Sequence, residues 1–233
     1  MSGKLFICAT PIGNLDDITL RALRVFREAD LIVAEDTRRS RQLLQRYEIT
    51  TPFGSSYYQG VEQRRVGPLV SRLEQGEQIA LISDAGTPLI SDPGYRLVHR
   101  AIAAGIPVVP IPGPTALIAA LVISGLPTDR FVFDGMPPRR LGRRRRYFEE
   151  IRAEPRTIIL YESPHRILTT LELMDELLGD RNIALCRELT KRFEEVIRGT
   201  PGQVLDQLQN RGQSRVKGEL TLVIQGAGKR NRE

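Results

Sequence analysis

The chain has 233 residues, enough for one large or two small domains, and 41% of them are hydrophobic, which suffices for a real core. No apolar run approaches the ~18 residues of a membrane-spanning helix, and no signal-peptide pattern is present, so a soluble cytoplasmic protein without a membrane partner is expected. The formal charge is +6, and only four of the 34 basic residues are lysine. That bias suits phosphate or RNA contact, since guanidinium binds phosphate bidentately and stacks on bases; codon usage is the bland alternative.

Cys8 and Cys186 sit inside strand-like apolar runs, which favours buried reduced thiols over a disulfide. His99 and His165 have no ligand partner at zinc spacing, so no metal site is expected.

Residues 5–9 read as a first strand, running into Thr10-Pro-Ile-Gly-Asn-Leu-Asp-Asp17. The following helix places Ile18, Ala22, Val25 and Phe26 on one face, with Asp16 or Asp17 as its cap. Residues 31–34 form a second strand, ending in the charged run Glu35-Asp-Thr-Arg-Arg39 and then a helix over 41–47. Residues 51–60 are irregular, and 61–75 are polar and helical, with the pair Arg64-Arg65.

A third, buried strand over 78–82 leads into Ser83-Asp-Ala-Gly-Thr-Pro-Leu-Ile-Ser-Asp-Pro-Gly94. Ordinary connections here need ~2–6 residues, and these residue types fix turns, bond nearby backbone and cap helices. Such a loop at the carboxyl end of a strand is where open α/β sheets hold ligands. A helix runs from Tyr95 to Ala104, and a fourth strand over 107–111 feeds Pro112-Gly-Pro-Thr-Ala-Leu117 and an apolar helix to Ser124. This alternation predicts a mostly parallel sheet with right-handed crossovers.

Residues 125–129 read as a linker, dividing the chain into an N-terminal domain 1–124 and a C-terminal domain 125–233. Beyond it come a strand-like 130–133, then the run 137–146 with six arginines, and a strand over 157–161 ending in Glu162-Ser-Pro-His-Arg166. The next helix carries Ile167, Leu171, Met174 and Leu178 on one stripe. A strand over 182–186 ends in Arg187-Glu-Leu-Thr-Lys191, residues 194–199 alternate as an antiparallel partner would, and 218–225 close a mixed sheet. The tail, 226–233, is expected to fray.

There is no phosphate-binding G-x-x-x-x-G-K-[ST], no dinucleotide-type G-x-G-x-x-G after the first strand, and no G-x-S-x-G elbow. What remains is a set of Gly-, Pro-, Asp- and Thr-rich strand-end loops suited to holding a small polar molecule through backbone groups.

Seven motifs in order carry a resemblance: Thr10-Pro-Ile-Gly-Asn-Leu, Ala34-Glu-Asp-Thr-Arg, the stretch 83–94, Pro112-Gly-Pro, Tyr161-Glu-Ser-Pro-His-Arg, Arg187-Glu-Leu-Thr-Lys and Lys217-Gly-Glu. Together they resemble the bacterial small-subunit ribosomal RNA cytidine 2′-O-methyltransferases, within the tetrapyrrole methylase (class III) superfamily of S-adenosylmethionine enzymes. The resemblance implies two α/β domains, the first with a mostly parallel and the second with a mixed sheet, and S-adenosylmethionine in a cleft between them. It also implies a homodimer acting on the RNA of the small ribosomal subunit.

By that resemblance Pro11, Asp84, Gly86, Thr87, Thr115 and Ala116 contact the cofactor from the first domain, and Tyr161 and Leu189 from the second. Asp84 is the acceptor for amino or ribose groups, and Thr87 and Thr115 bond the methionine end. Candidate general bases at strand ends are Glu35, Asp36, Glu162, Glu188 and Lys191, each with an ion pair as its alternative role. Glu188 with Lys191 is preferred, since the resemblance places them on the cleft wall. Candidate RNA contacts are the clusters Arg38-Arg39-Arg41, Arg64-Arg65 and Arg139 to Arg146, with Arg143, Arg144, Arg145 and Arg146 foremost, together with Arg166; solvated charge is the alternative, and a good one for Arg64-Arg65.

Two departures stand out. Around 57–62 the family's histidine and asparagine are absent, and Asp134-Gly-Met-Pro-Pro138 replaces a more aromatic stretch. A tetrapyrrole methyltransferase of the same fold and a non-catalytic ribosomal RNA-binding protein remain as alternatives.

Overall fold

The computed structural model describes residues 2–54, 56–58, 60–210 and 216–228, and of residue 39 the backbone only. The tail positions 229–233 therefore lie outside the described residues. The chain forms two units, Met1–Thr115 and Ala116–Glu233.

In the first unit, β1 (Lys4–Cys8), β2 (Leu31–Ala34), β3 (Gln78–Ile82) and β4 (Val108–Ile111) form a sheet in the order β2-β3-β1-β4. All its pairings are parallel, so the carboxyl ends of all four strands share one edge. A sheet covered on both faces reads as continuous apolar runs, as in Leu-Ile-Val-Ala34, buried throughout.

Two helices, α1 (Leu20–Glu28) and α2 (Thr37–Arg46), cover one face, packing Ala22, Val25, Phe26 and Leu44 on Cys8, Ile32, Ala80 and Ile82. The other face is covered by α3 (Glu62–Glu74) and α4 (Tyr95–Ala103), whose Val66, Leu73, Leu97 and Ala101 meet Leu5, Val33, Ile79 and Leu81. Neighbouring strands β1 and β3 thus send their chains to opposite faces, and the loops diverge between them. That divergence is the switch point at which open α/β sheets bind ligands.

The cap of α1 is Thr19, whose hydroxyl accepts the Ala22 N–H at 3.1 Å, and not Asp16 or Asp17. Those aspartates lie in a separate 3₁₀ turn, Leu15–Asp17, capped by Asn14. Extended backbone at Ile18 and Thr19 separates turn from helix, so the helix starts later than its apolar face suggests.

The second unit opens with α5 (Ala116–Ser124). An almost wholly apolar helix needs a sheet to lie on. α5 packs against β6 (Thr157–Glu162), β7 (Ile183–Arg187) and β9 (Leu220–Ile224), with Leu117, Ala120 and Leu121 buried. Arg198 caps its last carbonyls, donating to Ser124 O at 3.0 Å and to Ile123 O.

The remaining elements are β5 (Phe131–Phe133), α6 (Leu141–Glu150), α7 (Ile167–Leu178), β8 (Glu195–Gly199) and α8 (Pro201–Asn210). The sheet order is β5-β6-β9-β7-β8, with β9 antiparallel to both neighbours and β8 antiparallel to β7. The expected stripe Ile167, Leu171, Met174 and Leu178 is buried against Ile158, Leu160, Leu185 and Leu222. Because Glu162 and Arg187 both pair with Leu220, the carboxyl ends of β6 and β7 share an edge.

Both cysteines are buried and unbonded; burial pushes the Cys8 thiol up to about 12 and the Cys186 thiol up to about 11, so they stay protonated and inert. Among the described residues no helix is long and apolar enough to cross a membrane.

Candidate functional site

At the carboxyl edge of the first sheet the three strand-end loops are sewn together by neutral groups. Thr10 and Gly86 exchange two backbone hydrogen bonds, at 2.8 and 3.0 Å. The Thr10 hydroxyl donates to Ser83 O at 3.2 Å, the Ser83 hydroxyl donates to Gly86 O at 3.1 Å, and the Thr87 hydroxyl donates to Pro114 O at 3.1 Å. Asp84 reaches the neighbouring loop, where its carboxylate accepts the Asp36 N–H at 2.9 Å. The expected cofactor positions Pro11, Asp84, Gly86, Thr87 and Thr115 are therefore gathered on one rim. Ala116 begins α5 of the second unit.

The rim's charge is one-sided. Residues 9–15, 83–94 and 112–115 contain no lysine or arginine, but 83–94 holds Asp84 and Asp92. Burial pushes the Asp92 carboxyl up to about 6; a Ser83 hydrogen bond pulls it down and the charge of Asp84 adds to the rise.

The far end of the loop is anchored by a residue that sequence reasoning left without a role. Glu62, nearly buried at the start of α3, accepts the Tyr57 hydroxyl at 3.1 Å, the Gly94 N–H at 3.1 Å and the Arg96 N–H at 3.3 Å. It supplies the cap that Gly94 cannot give α4. Gly94 has φ +139, and a Cβ there would stand 2.9 Å from Leu89 and 3.0 Å from Leu81. The atypical 57–62 segment thus serves the loop mechanically, and no short-range signal links Glu62 to a helix start 32 residues on.

In the second unit the strand ends are held by charge. Glu162 is buried: its carboxylate takes Arg166 at 2.6 Å, the Ser163 N–H at 2.6 Å and the Thr170 hydroxyl at 2.6 Å. Arg144, 3% exposed, bonds Thr170 at 3.0 Å and the carbonyls of Pro138 at 3.0 Å and Arg139 at 2.9 Å. Arg166 also donates to Pro137 O at 3.2 Å. Together these fix the loop 137–140.

Two of the expected RNA contacts are thus engaged within the fold. The Arg144 guanidinium is spent inside the fold, since α6 turns it inward one turn before Phe148; Arg166 is a partner of Glu162. Arg145 makes a two-pronged pair with Glu176 at 2.7 and 2.5 Å on the surface. Arg143 and Arg146 face solvent, as does Arg38, paired with Asp36 at 2.9 Å. The side chain of Arg39 lies outside the described atoms.

Glu188 and Lys191 also form a clamp. Their ends are 2.9 Å apart, and the same Glu188 oxygen accepts the Glu219 N–H at 2.9 Å. Lys191 also contacts Glu219 at 3.2 Å. Gly218, at φ +95, leaves room for the Glu188 carboxylate, on which a Cβ would fall. Burial raises the Glu188 carboxyl, but the Glu219 amide, Lys191 and Arg187 outweigh it and hold it below its usual range. Burial lowers the Lys191 ammonium, and Glu188 with Glu219 more than reverse this. The pair preferred as the base is thus an ion pair held in its charged form. Leu189, between them, is buried, and Tyr161 near the end of β6 stacks edge-on with Phe133 at 4.9 Å.

A two-unit α/β chain with Gly- and Pro-rich loops at a parallel sheet's carboxyl edge matches a known class. Residues 4–205 match the model of the Tetrapyrrole (Corrin/Porphyrin) Methylases, and the chain belongs to that family. It is similar to the ribosomal RNA small subunit methyltransferase I of Haemophilus influenzae, 50% identical over 98% of this chain and 81% of that protein. The protein of the same name from Pseudomonas aeruginosa is 49% identical, over 97% of this chain and 79% of its own. Among solved structures, uroporphyrin-III C-methyl transferase from Thermus thermophilus, complexed with S-adenyl homocysteine, shares the fold with TM-score 0.65 at 16% identity, covering 96% of this chain and 97% of that one.

Proposed function

We propose that this protein transfers a methyl group from S-adenosylmethionine to the ribose 2′-hydroxyl of a cytidine in small-subunit ribosomal RNA. The observation that carries the reading is the near-50% identity, over almost the whole chain, to proteins named for small-subunit ribosomal RNA methylation.

The rim of the first unit fits the cofactor. A cation-free rim carrying Asp84 and Asp92 is unsuited to a phosphate-rich ligand. It suits one that brings its own positive charge, as a sulfonium and an ammonium do. Thr10, Ser83 and Thr87 donate their hydroxyls to backbone carbonyls, so adenine and ribose would meet mainly main-chain groups and Asp84, with the Thr87 hydroxyl oxygen as an acceptor and Thr115 toward the methionine end. When bound, the cofactor supplies an activated methyl on a good leaving group.

The chemistry is in-line displacement: the bond from sulfur to methyl breaks as the bond from the 2′-oxygen to methyl forms, and the hydroxyl proton leaves to solvent or an acceptor. Alignment supplies much of the acceleration. Glu162 and the Glu188–Lys191 pair act in this reading by holding strand ends in place. The protein works in the cytoplasm, as a homodimer whose mass sedimentation would report.

Purified small subunits incubated with the protein and methyl-labelled S-adenosylmethionine test the reading. One cytidine ribose should carry the label. Label on a base, or none in RNA with transfer to a tetrapyrrole, would overturn it.

A further inference from the structure

The first unit has a groove that neither the rim nor the core explains. It lies between α3 and α4, encloses about 540 Å³, and is lined by Gln63 and Gly67 from α3 and by Tyr95, Arg96, His99 and Arg100 from α4. That volume falls within the ~300–1,000 Å³ usual for small-ligand sites.

Its chemistry is specific. Tyr95 is 70% exposed although α4 buries Leu97 and Ala101 on its other stripe, so the ring is not needed for the core. The ring lies 5.9 Å from that of His99, one turn on and tilted 35° to it, so the two rings are neighbours on one side of α4. Arg96 and Arg100 repeat the same spacing beside it. Gly67 has open space where a Cβ would stand, which keeps the α3 wall low.

Charge points the same way. Residues 62–67 and 95–100 carry Arg64, Arg65, Arg96 and Arg100 against one acid, Glu62, whose carboxylate accepts from Tyr57 and Gly94 and stands 3.8 Å from the Arg96 guanidinium, so the net charge stays positive. Neighbouring aromatic rings flanked by guanidinium groups match a single-stranded nucleic acid, whose base offers a π face and whose phosphates offer charge.

We propose that this groove holds one unpaired nucleotide of the RNA, its base on the Tyr95–His99 rings and its flanking phosphates on Arg96 and Arg100. The proposal rests on the RNA methyltransferase reading. In this proposal the nucleotide anchors the RNA.

Fluorescence anisotropy tests it, with labelled small-subunit RNA and a short single-stranded oligonucleotide titrated at several salt concentrations. Methyl transfer by the wild type is followed in parallel. Tyr95→Ala should weaken binding about tenfold or more, and Tyr95→Phe should restore it. The double variant Arg96→Gln, Arg100→Gln should reduce the slope of log affinity against log salt by about 1.4, from ~0.7 per lost single-strand phosphate contact. These side chains are exposed, so thermal unfolding should barely move. Unchanged affinity and slope, with the wild type still methylating RNA, overturn the groove proposal alone. Conversion of Tyr95→Ala from dimer to monomer also overturns it, assigning the groove to a second copy of the chain. A wild type that neither binds nor methylates small-subunit RNA overturns the parent reading, and the groove proposal with it.

Discussion

The two sheets finish their strands by different means. In the first unit, Thr10, Ser83 and Thr87 tie three loops through hydroxyl and backbone groups, each net worth ~1 kcal/mol. In the second, Glu162, Arg166 and Arg144 tie theirs through buried ions, where losing one partner strands the others. A neutral rim leaves its field to two aspartates and keeps a small polar ligand's options open. An ionic clamp spends its charges on itself. Charged residues at a strand end are therefore not, by their presence, a site.

The sharpest way to break this comparison is Glu162→Ala. It leaves Arg166 with no carboxylate at its side and Arg144 bonded to a Thr170 that has lost its acceptor. A loss of ~3–5 kcal/mol in urea unfolding is expected. A loss below ~1 kcal/mol would make the cluster ornamental. Next comes Arg144→Ala, expected to cost ~3 kcal/mol, whereas the neighbouring Arg143→Ala should stay within ~0.5 kcal/mol. Equal losses for the two would contradict the inward turn of Arg144.

On the neutral side, Thr10→Val should cost only ~0.5–1.5 kcal/mol, and more of its effect should appear in cofactor affinity measured by calorimetry. The smallest effect is on pH dependence. The Asp92 carboxyl is raised in the fold to about 6 from 3.8, so the folded state binds the extra proton between those values. Its contribution is fully present below about 3.8 and is lost as pH rises through 6. Asp92→Asn should therefore melt higher than wild type at pH 7.5, with the difference gone near pH 4. A difference that persists at pH 4 would point to a cause other than ionisation.

Much of this was readable in the chain. Alternating apolar runs and polar, Gly/Pro-rich loops gave the parallel first sheet and the antiparallel pairing of 194–199, because those signals are local. The place of α5 was not, because it follows the first unit's last loop directly, and only packing on β7 and β9 shows which sheet it serves. The rim was legible as composition, since loop 83–94 has more turn and capping residues than a connection needs.

The roles of the charged strand ends were not legible. A run of four arginines looks like a basic face until the helix is built. The one available hint was spacing, since Arg144 precedes Phe148 by four residues and so shares its buried stripe. Thr170 lies beside Leu171 at the core side of α7, an equally quiet signal for the hydroxyl that joins Glu162 to Arg144. Glu62 gave none, because its partners at Gly94 and Arg96 are distant in sequence.

Hydrogen–deuterium exchange with and without S-adenosylmethionine tests the central claim most directly, that the hydroxyl-tied rim of the first unit takes the cofactor. Peptides covering 10–14, 83–94 and 112–115 should slow their exchange on cofactor addition, as their amides become shielded. Saturating cofactor with no change in those three peptides would contradict the account.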